Sequence, residues 1–354
     1  MVSSYIFAPV FFSLFLTSSL REAMFYETLQ QNRVRCNVCF RRCLIPEGKR
    51  GFCRNKENKK GRLYNIVYSK PSAVQIDPIE KEPLYHFLPG TNILCLGTAG
   101  CNFRCSFCHN WHLSQRSIEE MEYYHLSPEE VIKLAKKRNC PTISFTYNEP
   151  ISFYEYMYDI AKIAKKEGLR VVFHTNGSMT EESLRELLKY TDAVTVDWKG
   201  FSNEFYQKVL RAEVAPVTRS LKVIKEKGVH LEIVNLIVPG HNDKEEEIKK
   251  MCQWIKDSLG EDVPLHFSRF FPNYRMMNLS PTPMKTLERA YAIAKEVGLY
   301  YVTLGNCPGH KYNSTFCPKC HKRLIHRIHF AVLENLIKEG KCPKCGFKIS
   351  GIWK

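Results

Sequence analysis

Short apolar runs rich in β-branched residues recur through the middle of the chain, at residues 93–97, 142–146, 170–174, 193–197, 231–238, 265–270 and 300–304. They have the length of buried strands, and amphipathic stretches of helical period lie between most of them. Those stretches carry start and stop signals. Ser127, Pro128 and Glu130 supply an N-cap, a first-turn proline and a capping-box acid. Thr180 and Asp243 stand as further N-caps ahead of glutamates, and Gly168, Gly228 and Gly298 close helices shortly before the next strand. Strands alternating with helices predict a parallel sheet, wound either as a partial or full βα barrel or as an open doubly wound sheet.

The ends of the chain lack this rhythm. Residues 1–32 read as an N-terminal tail: the apolar stretch 5–16 is too short to span a bilayer, Pro9 interrupts it, and no Lys or Arg precedes it as a signal peptide requires. Met24 offers an alternative start. Residues 33–89 form a cysteine-rich module amid Arg, Lys and Gly, residues 90–306 the α/β core, and residues 307–354 a second module of cysteine pairs with Gly and Pro.

Composition adds one strong constraint. With 44% hydrophobic and 25% charged residues the chain has a globular, not a disordered, make-up. Eleven of its 15 cysteines fall in tight groups with metal-ligand spacing, and a chain this long needs no disulfide framework to hold a core. The expectation is a metal-rich cytoplasmic protein. A formal charge of +16 would suit nucleic acid. Metal-bound thiolates lower it to about +11, and the lysines (Lys133, Lys136, Lys137, Lys249, Lys250) are scattered over helix faces. A non-catalytic zinc protein that binds nucleic acid is therefore the minor reading.

Directly after the first run of the core comes a loop with Cys101, Cys105 and Cys108 at C-x3-C-x2-C, with Gly97 and Gly100 before it and Phe107 inside it. Three thiols without a fourth do not close a structural zinc site. They suit a [4Fe–4S] cluster with one iron left free of protein ligands. This loop resembles the signature of the radical S-adenosylmethionine (SAM) superfamily. The resemblance implies a partial (β/α)6-type barrel in which SAM chelates the open iron and is cleaved reductively to methionine and a 5′-deoxyadenosyl radical, which abstracts hydrogen from a substrate.

It also implies roles at successive strand ends. In Tyr147-Asn148-Glu149-Pro150 the family usually has Gly-Gly-Glu-Pro, so Glu149 would hold the SAM amino group, with Asn148 beside it. His174-Thr175-Asn176-Gly177 and Asp197-Trp198-Lys199-Gly200 look like the branch typified by pyruvate formate-lyase activating enzyme. There Thr175, Asp197 and Lys199 would bind SAM, with a monovalent cation beside its carboxylate, although His174 departs from the acid that branch carries at this position. Asn235 would pack the adenine and ribose, and Arg269 would point toward the barrel mouth.

Cys317, Cys320, Cys342 and Cys345 have zinc-ribbon spacing, with iron as the alternative to zinc. Cys36, Cys39, Cys43 and Cys53 are less regular and would hold zinc or an auxiliary iron–sulfur cluster, zinc slightly favoured. Cys95, Cys140 and Cys252 read as packed thiols. Both flanking modules around this core resemble the radical SAM component of the AmmeMemoRadiSam system, with departures at His109 and Cys307. That resemblance implies AMMECR-type and Memo-like partner proteins, a flavodoxin- or ferredoxin-type electron donor, and a protein substrate. Radical modification of a small molecule or RNA is the competing enzymatic reading.

Overall fold

The computed structural model describes residues 20–354. All seven expected strands form, and an eighth precedes them: β1 (Ala73–Pro78), β2 (Asn92–Gly97), β3 (Thr142–Phe145), β4 (Arg170–Thr175), β5 (Ala193–Asp197), β6 (His230–Ile237), β7 (Leu265–Arg269) and β8 (Val302–Gly305). They make one eight-stranded sheet in unbroken sequence order. β1 is antiparallel to β2, and every later neighbour is parallel. Right-handed crossovers that always step in one direction keep their helices on one face, whereas a doubly wound sheet must reverse its strand order. The order therefore decides for a partial barrel. Its edges β1 and β8 do not pair with each other among the described residues.

The outer helices are α1 (Pro128–Lys137), α2 (Tyr154–Lys166), α3 (Glu181–Leu188), α4 (Ala215–Glu226), α5 (Glu245–Leu259) and α6 (Met284–Val297). Their apolar faces meet the sheet in one buried core that includes Val131, Ile143, Ile160, Leu184, Leu221, Ile255 and Leu287. Ser127 and Glu130 form the capping box of α1, and Thr180 caps α3 through the Ser183 amide. Asp243 does not cap α5. Lys244 occupies that position, and the Asp243 carboxylate accepts from the Gly240 amide in the preceding turn.

The inner face of the sheet is filled at its base by the segment 79–88. Ile79, Leu84 and Phe87 pack there against Ile93, Cys95, Val172 and Ala193, each large side chain contributing about 1.5–3 kcal/mol by burial. The plug is also pinned by charge. Glu232 of β6 accepts from the Tyr85 and His86 amides at 2.9 and 2.8 Å. The C-terminal module clamps it from outside: Arg327, fully buried, pairs with buried Glu80 at 3.4 Å and donates to the Tyr85 carbonyl at 2.6 Å.

Two boundaries differ from expectation. From residue 21 the expected tail is built into small antiparallel sheets, Arg21–Glu22 against Arg62–Asn65 and Tyr26–Thr28 against Val34–Cys36, while residues 1–19 lie outside the described residues. Strands of two or three residues leave no periodic trace in a sequence. β1, placed in the cysteine-rich module by composition, belongs to the main sheet. No helix among the described residues is long and apolar enough to cross a membrane.

Candidate metal and cofactor site

The carboxyl ends of the strands open on a cavity of ≈ 460 Å³, into which Cys101, Cys105 and Cys108 face together with Glu149, Thr175, Asp197 and Lys199. The cysteine loop reaches this position because two residues lack side chains. A Cβ on Gly97 would lie 2.8 Å from the Thr146 carbonyl oxygen, and one on Gly100, whose φ is +82°, would lie 2.2 Å from that of Cys53. Burial raises the pKa of all three thiols, so a bound metal must supply the charge that ionises them.

Glu149 follows β3 and is held on both oxygens. Oε1 accepts from Thr175 Oγ1 at 2.7 Å and from the Ile151 amide at 3.2 Å, and Oε2 accepts from the Asn176 amide at 2.7 Å. Burial nevertheless pushes its pKa up to about 7, because desolvation of the anion outweighs three donors. Thr175 thus orients Glu149. Asn148 braces the cluster loop: its Nδ2 donates to the Ala99 and Gly100 carbonyls at 3.1 and 2.7 Å, and its Oδ1 accepts from the Thr98 amide at 3.0 Å. A side chain here does the positioning that bare glycine backbone would leave undone.

At the end of β5, Asp197 is bracketed by His174 Nε2 on Oδ1 at 2.9 Å and by Lys199 Nζ on Oδ2 at 2.7 Å. The Asp197 pKa is lowered, Lys199 and His174 overcoming burial, and the pKa of Lys199 is raised by Asp197 against its own desolvation. Both carboxylate oxygens are engaged by side chains of the chain itself. The departure at His174 therefore places a protonatable ring where the resemblance implied a cation site.

Two expected residues do not face the cavity. Val234 and Leu236 line it, so Asn235, between them on a strand of period two, points to the opposite face. It is buried there and donates to the Trp198 carbonyl at 2.8 Å. Arg269 turns away to the Thr282 carbonyl at 2.8 Å and lies over the Phe271 ring. In their place the cavity takes His266 and Ser268 from β7, Glu82 from the plug, and Phe330 from the C-terminal module. His266 and Ser268 sit at alternate positions of a recognised strand and were open to a period-two reading. Glu82 and Phe330 arrive only through long-range packing.

The two outer cysteine sets differ in geometry. Cys317, Cys320, Cys342 and Cys345 bring their sulfurs within 4.8 Å of one another, with Cys317–Cys345 at 3.6 Å and Cys320–Cys342 at 3.7 Å. Four Zn–S bonds of about 2.3 Å in a tetrahedron require S···S separations of about 3.8 Å. Among the described residues no other group of three or more ligand atoms converges in this way. Neither the three cavity cysteines nor Cys36, Cys39, Cys43 and Cys53 do so.

Three thiols spread around a cavity without a fourth fit a [4Fe–4S] cluster with one open iron, and the carboxylate and amine groups opposite fit an amino acid head group. The fold and this site define a class of iron–sulfur proteins, and the chain belongs to the radical SAM superfamily. The superfamily model matches residues 96–255. Within it the chain is similar to the pyruvate formate-lyase activating enzymes. It is 47% identical over 332 residues to an uncharacterized protein of Methanocaldococcus jannaschii, MJ0808, covering 93% of this chain and 99% of that one. It is 28% identical over 167 residues to the pyruvate formate-lyase-activating enzyme of Clostridium pasteurianum (45% of this chain, 67% of the relative). To the pyruvate formate-lyase 1-activating enzyme of Escherichia coli K12 it is 24% identical over 219 residues (56% and 87%). Among solved structures, a domain of pyruvate-formate lyase-activating enzyme from Bacteroides vulgatus aligns with a TM-score of 0.42 and 16% identity, over 46% of this chain and 98% of that one.

Proposed function

We propose that this protein cleaves SAM reductively and uses the radical to take a hydrogen atom from a polypeptide. The observation that carries this reading is the convergence of Cys101, Cys105, Cys108, Glu149 and Lys199 on one cavity at the strand ends. Cys101, Cys105 and Cys108 would hold a [4Fe–4S] cluster, which when bound and reduced would supply the electron for reductive cleavage of SAM. The chain's own groups do the rest. Glu149 receives the SAM ammonium, Lys199 the carboxylate, Asn148 holds the cluster loop, and Phe107, 2% exposed, keeps water from it.

Support for a polypeptide substrate comes from the rim. Trp111 stacks on Tyr274 with centroids 5.4 Å apart, and exposed Phe271 and Met277 lie on the same loop as Tyr274. Apolar exposed groups beside the cavity suit a chain that is threaded past the site. A low-potential flavodoxin- or ferredoxin-type donor would supply the electron in the cytoplasm, and AMMECR-type and Memo-like proteins are the partner classes to test first.

The test is anaerobic reconstitution followed by assay of 5′-deoxyadenosine with dithionite as reductant. The wild type forms it and Cys105→Ala does not; undiminished formation by the variant would refute the cluster assignment. Anaerobic crosslinking in native extract, followed by identification of the captured species, then tests the substrate class.

A further inference from the structure

We propose that Cys36, Cys39, Cys43 and Cys53 hold a second [4Fe–4S] cluster that relays electrons to the one at the barrel mouth. This rests on the proposed function for the destination of the electron, but the site itself stands on separate observations.

The first is thiol spacing. The ribbon cysteines are drawn to the separations of a zinc tetrahedron, and the N-terminal four are not. In this they match Cys101, Cys105 and Cys108. A cube binds each thiolate to a different iron, so its ligands stand further apart than those around one ion. The four nonetheless lie near enough to act on one another electrostatically: Cys39 and Cys53 on Cys36, and Cys53 and Cys43 on Cys39. Cys36 ends one strand and Cys43 directly precedes the strand paired with it, and the Cys36 amide donates to the Cys43 carbonyl at 3.0 Å. The Phe52 amide donates to Cys43 Sγ at 3.5 Å, just before Cys53. Gly51 lies against the same thiol: a Cβ on it would sit 3.7 Å from Cys43 Sγ, an ordinary contact, and 3.2 Å from Ile45.

The second observation is charge. Arg41 and Arg104 stack on the Phe52 ring, 3.5 and 4.0 Å from its centroid. No carboxylate pairs with either among the described residues, and the one carboxylate that acts on Arg41, Glu213, does so more weakly than the thiols. Arg41 donates to the Asn102 and Arg211 carbonyls, and Arg104 to those of Cys101, Phe103 and Phe52. Two guanidinium groups in a half-buried place need a counter-charge. The groups of opposite charge around them are mostly thiols: Cys39, Cys43 and Cys101 near Arg41, with the Glu213 carboxylate as a weaker influence, and Cys101 and Cys53 near Arg104. Four thiolates on a [4Fe–4S]²⁺ core carry a net charge of about −2, which supplies it.

The third observation is the path. The carbonyl of Cys53 is the group against which Gly100 is pressed, and Gly100 adjoins Cys101. Asn102, the next residue, lies close enough to the Cys39 thiol to favour its ionised form, and its Oδ1 accepts from Asn176 at 2.8 Å. The cysteine sets are thus in contact through backbone. One electron from a low-potential protein donor would reduce the N-terminal cluster and then pass to the barrel cluster, leaving the first oxidised; no bond is made and no proton moves.

The test is metal analysis of the full chain after anaerobic reconstitution with iron and sulfide, with spectra of the dithionite-reduced protein with and without SAM. We expect about eight irons per chain in the wild type and one zinc. C101A/C105A/C108A should keep about four irons, with a paramagnetic signal that SAM does not alter. Cys39→Ser/Cys43→Ser should keep the SAM-responsive signal alone. A wild type with about four irons, all lost in the triple variant, and a second zinc would overturn the proposal while leaving the radical SAM reading intact. About four irons that survive the triple variant would instead uphold the second cluster and remove the first. Should the serine variant fail to fold, the wild-type count and the triple variant still decide.

Discussion

With Glu149 as the proposed acceptor of the SAM ammonium, SAM binding should depend on pH in a direction that can be worked out. Its carboxyl is buried and its pKa is pushed up to about 7 before any ligand arrives. An ammonium group placed against it favours the anion, so binding draws a proton off Glu149 wherever the free protein holds one. Apparent affinity then scales with the ionised fraction, which is about one in eleven at pH 6 and about ten in eleven at pH 8. Affinity should therefore fall about tenfold from pH 8 to pH 6, a loss of about 1.4 kcal/mol. The assay is equilibrium dialysis of SAM against the anaerobically reconstituted protein. SAM's own amino group titrates in the same range, so the quantity to plot is the ratio of wild-type affinity to that of Glu149→Gln. The amide of that variant carries no titrating charge, and the ratio should rise with pH through 7. A ratio that stays constant between pH 6 and pH 8 would refute the assignment of Glu149 to the ammonium.

Three further expectations follow from particular contacts. Arg327→Met leaves Glu80 buried without its partner and should destabilise the protein by about 3–5 kcal/mol in chemical denaturation, with R327M combined with Glu80→Gln recovering part of the loss; an unchanged midpoint for R327M would show that the pair holds nothing. His174 and Lys199 already occupy both oxygens of Asp197, so 5′-deoxyadenosine formation should be the same in potassium chloride and in a bulky organic-cation salt, and a strict need for a small monovalent ion would contradict this. Gly100→Ala meets the Cys53 carbonyl whereas Gly48→Ala, at φ +70°, meets nothing within 4 Å. G48A should cost only about 1 kcal/mol of left-handed strain, while G100A should also lose iron from the barrel cluster, as an iron assay would show.

Much of this protein is decided locally. Cys101, Cys105 and Cys108 share one loop, and the spacing of ligands within a loop is a property of the chain alone, so their chemistry was legible in the sequence. The same holds for the ribbon pairs, for the capping box at Ser127 and for the alternation of strand and helix that made a parallel sheet. Glu149, Thr175, Asp197 and Lys199 were singled out by their resemblance to family motifs, and they meet on one cavity because each lies at or just past the end of a strand, and strand ends of a βα fold share one rim.

What escaped the sequence depends on the partner of each segment. A one-residue change of phase moves a side chain across a sheet, and only the register of β6 against its neighbours placed Asn235 behind the cavity with Val234 and Leu236 in front. The choice of a partial barrel over a doubly wound sheet lay in strand order, which no periodicity contains. The plug at 79–88 has no regular period, and its residues gain meaning only once Glu232 and Arg327 close on them from distant parts of the chain. The same division runs through the cysteines. Spacing along the chain named Cys317, Cys320, Cys342 and Cys345 as one group, but how closely their sulfurs approach is set by the surrounding packing.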